Sequence, residues 1–306
     1  MSGPTLFAGL AIAASVMAPK LPPRTDWVGE TVLIKQSRTP CGQIEDDGTF
    51  TPIGTLGSIQ YVVIKDDKGR VQVLNGAKRV WVEKDNLVRL ADAVEHYTKM
   101  LDGDPSNASW FAYRGWARFQ TGKIDEALKD YAEAIRLEPR AAYSYGNRAL
   151  IYREQKKFEE ALADHNTCIE LAPNYESAYL NRAVTYTRKK DFAKAAEDYK
   201  KVIELNPESP GGHNGLAWLL STSPDEKVRD GKRALEAAKK ACELTDHKNG
   251  GYLDTLAAAY AELGQFDEAV EWQEKAWAAG DLPFKEIDPA RKRLELYKQK
   301  KPYRGE

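Results

Sequence analysis

The amino-acid sequence predicts a multidomain chain: a small all-β barrel followed by an all-α solenoid that ends in a capping helix. Three observations carry that prediction. Short β-branched and aromatic runs, broken by Gly, Asp and Lys, occupy Asp26 to about Leu87. From about Val88 the texture changes to Ala, Glu, Lys and Leu at helical spacing. Within that helical part three columns recur every 34 residues: Ala93, Ala127, Ala161 and Ala195; Tyr97, Tyr131, His165 and Tyr199; Pro105, Pro139, Pro173 and Pro207.

The first element is Leu6–Ala18, "LFAGLAIAASVMA", an uncharged apolar run. It is too short to span a bilayer but suits the apolar region of a secretory signal. Residues 1–23 are therefore read as signal peptide and linker, and the protein as exported to periplasm or cell envelope. The flank "MSGPT" has no Lys or Arg and Pro19 hinders cleavage after Ala18, so a cytoplasmic chain with an apolar tail is the alternative. No other stretch has the length to cross a membrane. The 45 basic and 46 acidic residues nearly cancel, which leaves no global field for nucleic acid or an anionic membrane. No nucleic-acid partner is expected.

Residues 24–88 are expected to hold about five strands, in "ETVLIK", "IQYVVIK", "RVQVL" and "RVWV" among them. "KDDKGR" (65–70) reads as a hairpin with Gly69 free to take a positive φ, and residues 39–58 as a long loop or loosely held hairpin. The order of features, an opening "WVGETV", a long loop, a central hairpin and a closing "VWVEKDNLV", resembles the bacterial SH3-like domain. That resemblance implies a small barrel that either binds cell-wall peptide or acts as an adaptor.

The 34-residue columns resemble the tetratricopeptide repeat. Gly115 matches the small residue where the two helices of a repeat cross, and Ala127, Tyr131, Ala134 and Pro139 match the second helix and its stop. The division is a half repeat at 89–107, repeats at 108–141, 142–175, 176–209, 210–247 and 248–281, and a capping helix with tail at 282–306. The fourth repeat carries extra residues between its helices. In such an array each helix pair has an apolar face that only its neighbours cover.

Chemistry is sparse. Phosphate-cradling, zinc-protease and nucleophile-elbow motifs are missing from the sequence. His165 and Cys168 lie three apart beside Asp164, a spacing that shares one helix face, but they occupy packing columns of the repeat. Zinc needs three or four protein ligands, and no third stands at a recognisable spacing. No metal, no cofactor and no enzymatic activity are expected, and His165 is expected to be partly exposed or hydrogen-bonded within its own repeat. The register also aligns Arg114, Arg148 and Arg182 with Asp130, Asp164 and Asp198, sixteen residues later in each case. In the fourth and fifth repeats both members change together, to Leu216 with Ala237 and Leu256 with Trp272, so each Arg is expected to pair with its Asp.

The resemblance implies a non-catalytic scaffold whose first helices line a groove for a protein or peptide. The matching groove positions are Ala112, Trp116, Phe119, Tyr143, Leu150, Arg153, Leu180, Val184 and Arg188. Ala112 and Trp116 stand where some members of the family clamp a terminal carboxylate with Lys and Asn. An apolar segment with an acidic flank is therefore the expected ligand. The alternative function is an envelope module whose SH3-like domain binds wall peptide or glycan, with the repeats as spacer or dimeriser.

Overall fold

A computed structural model describes residues 27–35, 40–44, 49–55, 60–67, 69–75, 78–279 and 284–305. The apolar run at 6–18, with the signal and linker reading of 1–23, lies outside them. The described residues form two compact units, one reaching Ser144 and the other running from Tyr145 to the end of the chain.

The first unit opens with β1 (Thr31–Ile34), β2 (Pro40–Ile44), β3 (Phe50–Thr55), β4 (Gln60–Val62), β5 (Lys65–Asp67), β6 (Arg70–Asn75), β7 (Lys78–Glu83) and β8 (Leu87–Arg89). They build two antiparallel sheets, ordered β4-β1-β8 and β3-β2-β7-β6-β5. Eight described strands exceed the five expected, because β2, β3 and β5 ("PCGQI", "FTPIGT", "KDD") lack the apolar alternation that betrays a strand. Within segment 39–58 the described strands β2 and β3 pair antiparallel, with a bulge between Cys41 and Gly42. Gly69 sits at φ +96° in the β5–β6 turn. On β6 and β7 the alternation does its work: Val71 faces Val82 and Val73 faces Val80, all four buried.

Helices α1 (Leu90–Gly103), α2 (Ala108–Gln120) and α3 (Ile124–Leu137) complete this unit. The change of texture at 88/89 is not a break in packing. Ala93, Tyr97, Tyr113 and Ala117 join Val32, Leu33, Val71 and Val82 in one core, and the Tyr97 hydroxyl donates to the Ile34 carbonyl. Sequence texture marks where hydrogen bonding changes from sheet to helix, whereas a core is set by which apolar faces meet.

Helix α4 (Ala142–Glu154) leads into the second unit, which continues with α5 (Phe158–Leu171), α6 (Glu176–Lys189), α7 (Phe192–Leu205), α8 (Pro210–Thr222), α9 (Gly231–Glu243), α10 (Gly250–Glu262), α11 (Phe266–Ala278) and α12 (Phe284–Lys298). Pro105, Pro139, Pro173 and Pro207 each follow a helix end within two residues, where a missing N–H cannot extend the helix. α6 packs on α7, α8 on α9, α10 on α11, and each pair also meets its neighbour. The alanine column Ala161 and Ala195 is fully buried, which lets helices approach closely. The tightest approach is at Gly215: a Cβ there would lie 2.3 Å from the Tyr199 ring. Gly115 is less strict, with 3.2 Å to Tyr131.

α12 covers the end of the array with Ala290, Arg293 and Tyr297, all buried, and presents Arg291, Lys292 and Glu295 outward. Arg293 departs from the charged outer face expected of a cap. It is buried because Asp254 of α10 accepts from its Nε at 2.9 Å.

Candidate functional site

The predicted groove positions divide by burial. In the first unit Ala112 and Phe119 are buried, and Trp116 is occupied: its indole N–H donates to Gln60 Oε1 at 2.9 Å and its ring lies 5.8 Å from Phe119. Trp116, read from sequence as a partner anchor, stays half-buried and also bridges to strand β4. Tyr143 is half-buried, its hydroxyl 3.4 Å from Ser109 Oγ. In the second unit Leu150, Arg153 and Val184 are buried, while Leu180 and Arg188 keep part of their surface. Five of the nine predicted positions are thus buried and four keep part of their surface, because neighbouring helices cover only part of the circumference of a first helix.

Arg153 and Arg188 form the most unusual charge arrangement on these helices. The Arg153 side chain is 3% exposed, yet Glu154 Oε1, at 3.3 Å, is the one carboxylate it reaches among the described residues. Arg188 shares that same oxygen at 3.0 Å and is 24% exposed. Two guanidinium groups thus divide one carboxylate. Burial, and after it the Arg188 charge, pulls the Arg153 guanidinium down to about 10. A second carboxylate placed over Arg188 would complete the neutralisation.

The aligned Arg and Asp residues make a ladder. Arg148 donates through Nε and Nη2 to Asp164 at 2.7 Å each; Arg182 reaches Asp198 at 2.8 and 2.7 Å, and Arg114 reaches Asp130 at 2.8 Å. The hydrogen bonds that Arg148 and Arg182 donate to their Asp carboxylates are the leading cause that raises both above the usual guanidinium range. The arginines also reach backwards by sixteen residues, Arg114 to Thr98 at 3.3 Å and Arg182 to Asn166 at 2.7 Å. Each of those two therefore ties its own second helix to the preceding one. Aromatic faces flank the guanidiniums: Tyr145 and Tyr152 at Arg148, Tyr179 and Tyr186 at Arg182. Where Tyr152 and Tyr186 stand, the first repeat has Arg118, which donates to Asp130 at 2.6 Å. Its position four residues after Arg114 was the available signal.

His165 is fully buried, and its partner belongs to the next repeat. Nε2 lies 3.2 Å from Thr185 Oγ1, whose hydroxyl proton goes to the Asn181 carbonyl. Nε2 must therefore carry the proton and donate, leaving Nδ1 bare and without a hydrogen-bond partner among the described residues. Burial, then the charges of Arg153 and Arg182, lowers the imidazole to about 3. Cys168 is also buried, its thiol pushed up to about 11 chiefly by desolvation. Among the described residues no group of three or more His, Cys, Asp or Glu is placed to hold a metal, and no helix is long and apolar enough to cross a membrane.

This stacked geometry agrees with the comparisons. Models of the tetratricopeptide repeat match residues 142–175, 177–209 and 251–279, and a TPR-repeat model matches 115–152. These segments of the helical array carry tetratricopeptide repeats. Solved repeat structures are similar in fold. A tetratricopeptide repeat protein from Parabacteroides merdae aligns with a TM-score of 0.56 and 23% identity over 69% of this chain and 81% of its own. Yeast Tom70 aligns at 0.54 and 24% over 67% of this chain and 43% of its own. YrrB, a TPR protein with an unusual peptide-binding site, aligns at 0.50 and 16% over 66% of this chain and all of its own. No curated protein matches the sequence. The matched segments all lie in the helices, and the repeats account for the 34-residue columns, the proline stops and the Arg–Asp ladder.

Proposed function

We propose that the protein is an interaction scaffold whose second and third repeats bind a protein segment bearing an acidic side chain over Arg188. One observation carries the reading: Arg153 and Arg188 share the single carboxylate of Glu154. Half-buried Leu180, on the same helix as Arg188, supplies apolar surface for the rest of the segment. YrrB, similar in fold, is a TPR protein with an unusual peptide-binding site, which supports a binding role for the array. The strand module is read as an SH3-like adaptor that packs on the first repeat helices.

Fluorescence anisotropy with acidic and amide-substituted peptides tests the proposal. Glu154→Gln, which leaves both arginines unshared, should tighten the acidic peptide, and Arg188→Gln should weaken it about tenfold. Equal affinities of the wild type and Arg188→Gln for the acidic peptide would sink it.

A further inference from the structure

The residues after α12 are seated on another part of the array. Lys300 takes a left-handed φ of +55°, with Lys300 N–H on the Tyr297 carbonyl and Lys301 N–H on the Leu296 carbonyl, and this turn ends the helix. Residues 301–305 then run non-helically to the end of α8. Gly305 N–H donates to the Thr222 carbonyl at 2.7 Å. Arg304 Nη1 lies 3.4 Å from the Ser221 carbonyl and 2.6 Å from Glu262 Oε2. The Tyr303 ring lies 5.9 Å from Trp218, and the Arg293 guanidinium sits 5.3 Å from Trp218 and 5.6 Å from Tyr303.

We infer that this cradle is a binding site for an extended protein segment of aromatic–arginine–glycine chemistry, which residues 303–305 occupy as an internal pseudo-ligand. Its parts match that chemistry. The last carbonyls of α8 have no partner within their helix and form its negative end, so they favour an N–H and a cation. Glu262, only 12% exposed and fixed by Arg229 at 3.1 Å, supplies a full negative charge. Trp218 offers an aromatic wall. The seated segment lies at the surface: Pro302, Tyr303, Arg304 and Gly305 all stay half-exposed, with Tyr303 packed at the edge of the cluster of Ala257, Ala261, Ala269 and Tyr297. The site is independent of Arg153 and Arg188 and prefers the opposite charge.

The test uses the full chain and a blocked, labelled peptide with the sequence of residues 299–305. Wild type should bind it weakly, because the attached segment competes at an effective concentration in the millimolar range. Tyr303→Ala with Arg304→Ala should bind it at least tenfold more tightly, and adding Glu262→Gln should abolish that gain. Gly305→Pro, which removes the donor to Thr222 without touching Tyr303 or Arg304, gives a milder release should the double variant lose its fold. If folded release variants bind no better than wild type, the segment is a brace and the inference fails. A wild-type dimer that both release variants convert to monomer would equally overturn it in favour of exchange between copies.

Discussion

Lowering the pH from 7 to 5 should weaken the second and third repeats through one side chain, His165. Its imidazole is held at about 3 in the folded chain against an ordinary 6.5, because it is fully buried near Arg153 and Arg182. Between those two values the unfolded chain binds a proton that the folded chain refuses. Stability is therefore intact above pH 6.5 and falls progressively toward pH 3. At ~1.36 kcal/mol per pH unit, the descent from 6.5 to 5 removes about 2 kcal/mol. The geometry gives the same sign: the new proton would sit on Nδ1, which has no acceptor among the described residues. His165→Gln keeps a donor for Thr185 and cannot titrate. Hydrogen exchange of the α5 and α6 amides, corrected for intrinsic pH dependence, reads the local opening energy, which suits an array that unfolds by stretches. Wild type should lose about 2 kcal/mol more than the variant between pH 7 and 5. Identical losses would show that His165 is not held neutral, and the account of its burial would be wrong.

Two further outcomes follow from the packing. Asp164→Ala and Arg148→Leu should each cost ~3–5 kcal/mol, and the double variant much less than their sum, since a buried charge left alone is the main expense; additive losses in a double-mutant cycle would mean that the 2.7 Å contacts carry no coupling. A fragment of residues 24–88 should fail to melt cooperatively, whereas 24–144 should, because Tyr97, Tyr113 and Ala117 complete the strand core; circular dichroism melts decide it, and equal melting of the two fragments would refute the shared core. Any assay of wall binding by the strand module accordingly needs the longer fragment.

The repeat register was legible in the sequence because it is a periodic property. Proline stops, the buried alanine column and the sixteen-residue Arg–Asp offset all repeat, and repetition turns local chemistry into visible columns. Joint loss of Arg and Asp in the last two repeats pointed to contact for the same reason. Strands such as "PCGQI" and "KDD" escaped notice because hydrogen bonds to neighbouring strands make them, and their side chains leave no alternation.

The sequence by itself determined the helical array, its period and the partner of each laddered arginine. Only the tertiary structure decided which positions stay open. Ala112, Phe119, Leu150, Arg153 and Val184 occupy groove positions of the register yet are buried, since burial depends on what the next helix brings. Trp116 is claimed by Gln60, 56 residues away, and His165 by Thr185 of the following repeat. The seat of residues 303–305 on α8 joins positions more than eighty residues apart, Arg304 and Ser221 among them. Periodicity records how each repeat is built, whereas long-range contact records what each repeat meets, and that meeting determines which surface remains for a partner.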